Sequence, residues 1–262
     1  MPRRQRVRGG SGVARSLLGV GILLSGLAGV WLGLQVVVSG FGLWQAELFL
    51  DDWRAKASPP GERAAAVASE AAQQAVQRFP VAHADLLLVQ GDVLAWQTWA
   101  APVADPEKAS TRRAALAAYR AAVAARPEHS RAWVGIARMK RELGEIDAGF
   151  ETALVRSVET APWRVAVLRQ VSRLGVREWE RMGPRGRSAT VLALARGIAS
   201  GEREARTLAA LLGDSTEILR ARERQTGDLA AVFSEPGTAG ILARVCLTLQ
   251  RQGLGEGYGL CR

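Results

Sequence analysis

The chain has 262 residues, 48% of them hydrophobic, and a formal charge of +10, which suffices for one membrane segment and one soluble domain with a core of its own. Alanine and leucine dominate while Tyr (2) and Phe (5) are few, a balance that excludes a sheet-rich fold and predicts an all-α protein. Five of the positive charges (Arg3, Arg4, Arg6, Arg8 and Arg15) lie ahead of the apolar run, and beyond it basic and acidic residues are mixed, so there is no nucleic-acid footprint.

Residues 1–15 read as a basic cytoplasmic tail and residues 16–43 as a single transmembrane helix. The second stretch holds no charged residue, and residues 17–38 alone number 22. At about 1.5 Å per residue that is about 33 Å of helix, enough for a hydrocarbon core of roughly 30 Å. The arginines lie on one side and Glu47, Asp51 and Asp52 on the other. The positive-inside rule then puts the N-terminus in the cytoplasm and the bulk of the chain outside. A cleaved signal peptide fits less well, because the apolar region is too long and no A-x-A site precedes Trp44. Gly21, Ser25, Gly29 and Gly33 recur at every fourth position. They predict a packing face for a second helix, from a homodimer or a polytopic partner. Trp44 and Trp53 are expected in the outer interface, within a juxtamembrane junction of residues 44–61 that ends at Ser58-Pro59-Pro60-Gly61.

Residues 62–182 read as helical repeats. A helix is expected over 62–79, stopped by Pro80, and a second over 82–99. Asp105-Pro106-Glu107 offers the capping side chain and first-turn proline of a helix start. Ala115, Tyr119, Ala122 and Pro127 stand at the second-helix offsets of a tetratricopeptide (TPR) repeat, and Ala68, Ala72, Ala75 and Pro80 show similar spacing. Trp133, Leu143, Gly144, Asp147 and Ala153 follow the pattern of the next repeat. Pro162 closes it 35 residues after Pro127, near the TPR period of about 34. Its helix pair is expected over 129–143, capped by Gly144, and 146–160, with Trp133 and Trp163 as core fillers. Another helix opens at Pro162. Residues 183–252 add helices over 188–199, 202–212, 215–224 and 238–251, and residues 253–262 form a glycine-rich tail.

Tyr119-Arg120-Ala121-Ala122, Arg126-Pro127 and Ala132-Trp133 are followed by Leu143-Gly144-Glu145-Ile146-Asp147-Ala148-Gly149-Phe150, Ala153-Leu154 and Ala161-Pro162-Trp163. This series resembles the VpsP family of exopolysaccharide-biosynthesis proteins, over residues 44–196. The resemblance implies a Gram-negative inner-membrane protein made alongside glycosyltransferases and export machinery. It implies protein partners in polysaccharide synthesis or export, and no catalytic residues.

No nucleotide loop, G-x-S-x-G elbow or metal-spaced cluster stands in the sequence, so no catalytic residue, cofactor or metal is expected. His129 is expected to cap its helix, and Asp51-Asp52 to be solvated markers of topology. Arg131, Val134, Arg138, Arg141 and Glu142 fall on first-helix positions that line the inner groove of a TPR stack. Arginines there suit carboxylates of an acidic peptide or an acidic glycan, held by paired hydrogen bonds. The expected function is a non-enzymatic scaffold that faces the periplasm and holds partner proteins of exopolysaccharide biosynthesis or export. The alternative is a TPR assembly factor for another envelope machine, a secretion system or pilus. A glycan-acting enzyme finds no residues to support it.

Cys246 and Cys261 are the only cysteines, and in this topology both lie in an oxidising compartment that lets them bridge. Closing a loop of about 15 residues contributes about 3 kcal/mol. Thiol labelling of denatured, unreduced protein is expected to find no free thiol. Two free thiols per chain refute the bridge, and a dimer band lost on reduction means pairing between chains.

Overall fold

The computed structural model describes residues 11–212, 238–251 and 253. Among them are ten α-helices and no strand: α1 (Ser11–Lys56), α2 (Glu62–Arg78), α3 (Ala84–Trp96), α4 (Ala109–Ala125), α5 (Ser130–Glu142), α6 (Ala148–Thr160), α7 (Val165–Arg177), α8 (Pro184–Ala199), α9 (Glu202–Ala209) and α10 (Thr238–Arg251). The all-α class and the long apolar N-terminal helix are as the sequence predicts. The helix expected over 215–224, most of the tail and the arginines at 3, 4, 6 and 8 lie outside the described residues.

α1 does not end at residue 43. It runs unbroken to Lys56, because its last turns carry an apolar stripe of their own. Ala46, Leu50 and Trp53 recur at helical spacing and bury against Ala68, Ala71 and Ala72 of α2 and Val89 and Val93 of α3. Trp53 is therefore a core residue, 3% exposed, and not the interfacial ring expected of it; Trp44 stays 55% exposed. The helix ends where Ala57 turns left-handed at φ 47°, ahead of Pro59-Pro60. The junction thus shrinks to residues 57–61.

From α1 to α9 each helix packs on its neighbour in sequence, α10 packs on α8, and the odd-numbered ones also touch in series: α1 on α3, α3 on α5, α5 on α7 and α7 on α9. They make one layer, with α2, α4, α6 and α8 behind. Such near-neighbour packing lets each helical pair bury the face its predecessor leaves open. One main core runs from Leu87 on α3 to Leu249 on α10, so the last described helix belongs to the same body. Cys246 packs at the edge of that core and its thiol is not free; Cys261 lies outside the described residues.

Side-chain chemistry fixes the turns. Gly144 sits at φ 80°, and the N–H of Glu145 returns to the carbonyl of Lys140 at 2.8 Å, a glycine-dependent helix stop. Asp147 then caps α6, accepting from the N–H of Phe150 at 2.9 Å. The buried Lys140 reaches Glu145 at 2.8 Å and Asp147 at 2.9 Å. Burial pushes the Asp147 carboxyl up, but Lys140 and the capped N–H groups outweigh it and hold it below the ordinary range. At α8, Glu151 takes the place of a local cap: its carboxylate accepts from the N–H groups of Gly183 at 2.8 Å and Gly186 at 2.9 Å, satisfying orphan donors from across the interface.

Three local expectations change. Asp105 does not start a helix; it accepts from the N–H of Glu107 at 2.9 Å in a turn, and α4 begins at Ala109. Trp163 is 58% exposed, with the Arg196 guanidinium 5.4 Å from its ring centre, while Trp133 is half-buried and donates to the Pro127 carbonyl at 2.7 Å. The side chain that fills the core is Tyr119, fully buried.

Tyr119 lies between two glycines. A Cβ at Gly91 of α3 would sit 2.7 Å from its ring, and one at Gly135 of α5 would sit 2.6 Å from it. Gly135→Ala gains about 1 kcal/mol of helix propensity but overpacks the ring at a typical cost of about 1–3 kcal/mol. Because the phenol is also tethered, we expect a net loss of stability and a lower Tm. An unchanged or higher Tm would show that the ring moves aside freely.

Candidate functional site

The odd-helix layer encloses a cavity of about 530 Å³ lined by Arg54, Asp92, Trp96, Arg131, Val134, Gly135, Arg138, Arg164, Ala166, Val167 and Gln170. Four elements build it. α1 supplies Arg54, α3 supplies Asp92, α5 supplies Arg131 and Arg138, and the start of α7 supplies Arg164 and Gln170. Four guanidinium groups face a single carboxylate.

Asp92 organises the charges. Its Oδ2 lies 3.2 Å from Nη2 of Arg54 and 3.2 Å from Nη2 of Arg131. Its Oδ1 accepts from the Tyr119 hydroxyl at 2.6 Å and lies 3.5 Å from Nη2 of Arg138. Arg138 donates in turn to the Tyr119 oxygen at 2.7 Å. Burial, reinforced by the Asp92 charge, pushes the Tyr119 hydroxyl well above its ordinary pKa despite Arg138, so it remains a donor. The Arg138 guanidinium is held protonated: Tyr119 and Asp92 outweigh the desolvation that opposes it. Its Nε is buried without a partner. Arg164 has no ion pair among the described residues.

Of the residues read from sequence as a groove, Arg131, Val134 and Arg138 line this cavity. Arg141 turns away and donates from Nε to the buried Glu178 at 2.8 Å. Glu142 faces the α3–α4 connection, where Thr98 donates to it at 3.3 Å and Nε of Arg112 lies 3.5 Å away. Burial raises its carboxyl above the ordinary range against the pull of Arg138 and Arg112. Arg112, fully buried, clasps that connection through the carbonyls of Ala101 at 3.1 Å, Pro102 at 2.8 Å and Glu142 at 2.8 Å. Sequence reasoning missed Arg54, Asp92, Arg164 and Gln170. Asp92 alone left a sign: it is a lone acid inside the apolar run Leu86 to Trp96.

The other predicted positions stand apart from the cavity. His129 occupies the cap position of α5, yet its side chain makes no cap bond; its Nε2 lies 2.9 Å from Asp85 Oδ1. Arg126 donates to the same oxygen at 2.7 Å. Burial raises the Asp85 carboxyl, but His129 and Arg126 overcome it and hold it below the ordinary range. Asp51 and Asp52 make surface pairs with Arg54 at 2.9 Å and Lys56 at 2.8 Å. Gly21, Gly29 and Gly33 would place a Cβ in open space, and Ser25 bonds its own helix at the Ile22 carbonyl, 2.8 Å away.

Chemically, the cavity has the composition of an anion site, four guanidinium groups lining it around the carboxylate of Asp92. Asp92→Asn removes the carboxylate shared by Arg54, Arg131 and Arg138, leaving Arg54 only its surface pair with Asp51, and weakens the acceptor for Tyr119. Hydrogen bonds to charged groups contribute about 1.5–3 kcal/mol, so a loss of that order is expected in low salt. Added sulfate is expected to restore part of it by refilling the arginines. A variant insensitive to sulfate would show that the guanidinium groups do not act together. Compared with known proteins, the chain matches no family model, no curated protein and no solved structure.

Proposed function

We propose that this protein is a non-enzymatic, membrane-anchored helical scaffold of the TPR type that captures an anionic group of a partner in its arginine cavity. The observation that carries the reading is the four-to-one balance of guanidinium groups over carboxylate on the inner helix layer. Paired N–H donors in a fixed plane favour carboxylate or phosphate over a neutral ligand. The one hydroxyl beside a carboxylate there, Tyr119 on Asp92, is fully buried and kept protonated by that burial, which does not suit it to covalent hydrolysis.

α1 is long and apolar enough to cross a membrane. The positive-inside rule favours a helical body outside the cytoplasm, and the resemblance to VpsP proteins favours the inner membrane and periplasm of a Gram-negative cell as its setting. The likeness of residues 44–196 to VpsP proteins supports exopolysaccharide biosynthesis or export as the process. Within it, an acidic segment of a partner protein or an acidic glycan supplies the carboxylate. Arg54 lies 15 residues beyond Ser39 on α1, which is about 22 Å along a helix. At that height the cavity is suited to a ligand brought by a partner and not to a lipid headgroup.

The test uses the full chain in its own membrane. A reporter active only in the periplasm, fused after Arg262, is expected to be active. Crosslinking followed by co-purification is expected to recover an export or synthesis protein with the wild type and much less with Arg54→Ala/Arg131→Ala. Both arginines are exposed, as is Arg164, so melting is expected to shift little. Arg141 is left intact because it neutralises the buried Glu178. Equal capture by wild type and variant would remove the cavity from the function, and a reporter active only in the cytoplasm would reverse the orientation.

A further inference from the structure

The uncharged run of α1 is longer than a bilayer needs. Residues 16–43 number 28, about 42 Å of helix at about 1.5 Å per residue. The hydrocarbon core takes about 20 residues. Counted from Leu18, that span ends at Val37. The packing of α1 marks a similar point. Every side chain from Leu18 to Leu34 is exposed, whereas Ser39, Gly42 and Ala46 are buried.

The chain that covers those positions is α2, running antiparallel. A Cβ at Gly42 would lie 2.8 Å from the carbonyl of Ala71. The Ser39 hydroxyl donates to the carbonyl of Ala75 at 2.7 Å. That same carbonyl accepts the N–H of Phe79 at 3.3 Å. Ala75 is thus level with Ser39, and the end of α2 lies one turn farther toward the membrane, level with Gln35. Since a turn is about 5.4 Å, the α2–α3 connection reaches the last turn of the bare apolar span.

From this we infer that the connection Phe79-Pro80-Val81-Ala82 is a second membrane contact, seated in the outer interfacial layer of the bilayer that α1 crosses. Its composition fits that depth. Val81 is 66% exposed with no protein cover, Phe79 is half-buried and Ala82 is exposed. Arg78 ends α2 immediately before it, a cationic side chain of the kind that meets lipid phosphates at the interface. The interface retains water, so the backbone groups of a turn need no helix or sheet to satisfy them. The partner is the lipid surface, because α1 carries this turn to that depth whatever else binds the protein. A second contact beside a lone transmembrane helix restricts how the helical body can tilt and swivel over the membrane.

The inference rests on α1 crossing the membrane, and the test separates the two. Nitroxide labels are placed by Val81→Cys, Ala82→Cys, Leu27→Cys and Val103→Cys in the full chain carrying Cys246→Ser and Cys261→Ser, reconstituted in phospholipid nanodiscs. Val103 is the control: it is apolar and 44% exposed, but belongs to the connection at the far end of α3. Accessibility to oxygen, which concentrates in lipid, is compared with accessibility to a water-soluble nickel chelate. The expected result is an oxygen-to-nickel ratio at Val81 and Ala82 several-fold above that at Val103, and highest at Leu27. A ratio at Val81 and Ala82 equal to that at Val103, with Leu27 in lipid, overturns the docking and leaves the anchor standing. Low access of both reagents at Val81 and Ala82 overturns it in favour of a protein contact. Nickel access at Leu27 overturns the anchor, and the docking with it. The two neighbouring labels report the same depth independently, so a misfolded variant of one does not decide the outcome.

Discussion

The packing of Tyr119 between two glycines governs the middle of this molecule. A ring inserted between α3 and α5 demands that both helices present backbone, not side chain, on the facing surface, and Gly91 and Gly135 do so. The close approach it permits brings Asp92, Arg131 and Arg138 to one spot. The phenol oxygen then links them, donating to Asp92 and accepting from Arg138. Core packing and site chemistry are therefore one construction. The same residue that excludes a void also holds the only carboxylate in the cavity at the position where three arginines meet it.

A cluster of guanidinium groups is unfavourable in a partly buried space unless something neutralises it. Here Asp92 is shared by Arg54, Arg131 and Arg138, Arg54 also reaching Asp51 at the surface, and Arg164 has no ion pair among the described residues. Tyr119 occupies a lone pair on Asp92 as well. The result is a site that is stable when empty but retains unspent capacity for negative charge. An incoming carboxylate or phosphate does not need to desolvate the arginines afresh, because the protein fold already holds them together. That preorganisation is the usual source of affinity in a small polar site.

Much of this fold was legible from side-chain size and spacing. Ala115, Tyr119 and Ala122 announced a tightly packed helix, Gly144 a helix stop, and the charge-free run a membrane-length helix. What escaped was whatever depended on distant partners. Trp53 looks the same in a linear sequence whether it faces lipid headgroups or the alanine face of α2. Trp163 matched the expected core position, yet its ring lies exposed beneath the Arg196 guanidinium. The Leu143 to Phe150 stretch forms a left-handed glycine turn and a cap at Asp147, with the buried Lys140 tying Glu145 and Asp147. The groove arginines were placed by their helix face. Arg141 left the group because Glu178, a residue from the end of α7, waits buried within its reach. No local pattern identifies such a partner.

The connection between anchor and site follows from the continuity of α1. A chain break after the membrane segment would let the helical body swing freely, as a glycine- or serine-rich linker does. Instead the helix passes without interruption from the bare apolar span into a core shared with α2 and α3, and its last turn delivers Arg54 to Asp92. One side chain of the cavity therefore belongs to the helix that is long and apolar enough to cross a membrane. Displacing Asp92 from Arg54, or supplying a competing anion, alters the contact that joins the end of α1 to α3. The bonds at Ser39 and Gly42 fix the other end of the same segment against α2. Between those two fixed points the segment behaves as a strut. Under the proposed anchoring, that strut would hold the cavity at a set height and orientation over the bilayer, as the proposed scaffold role requires.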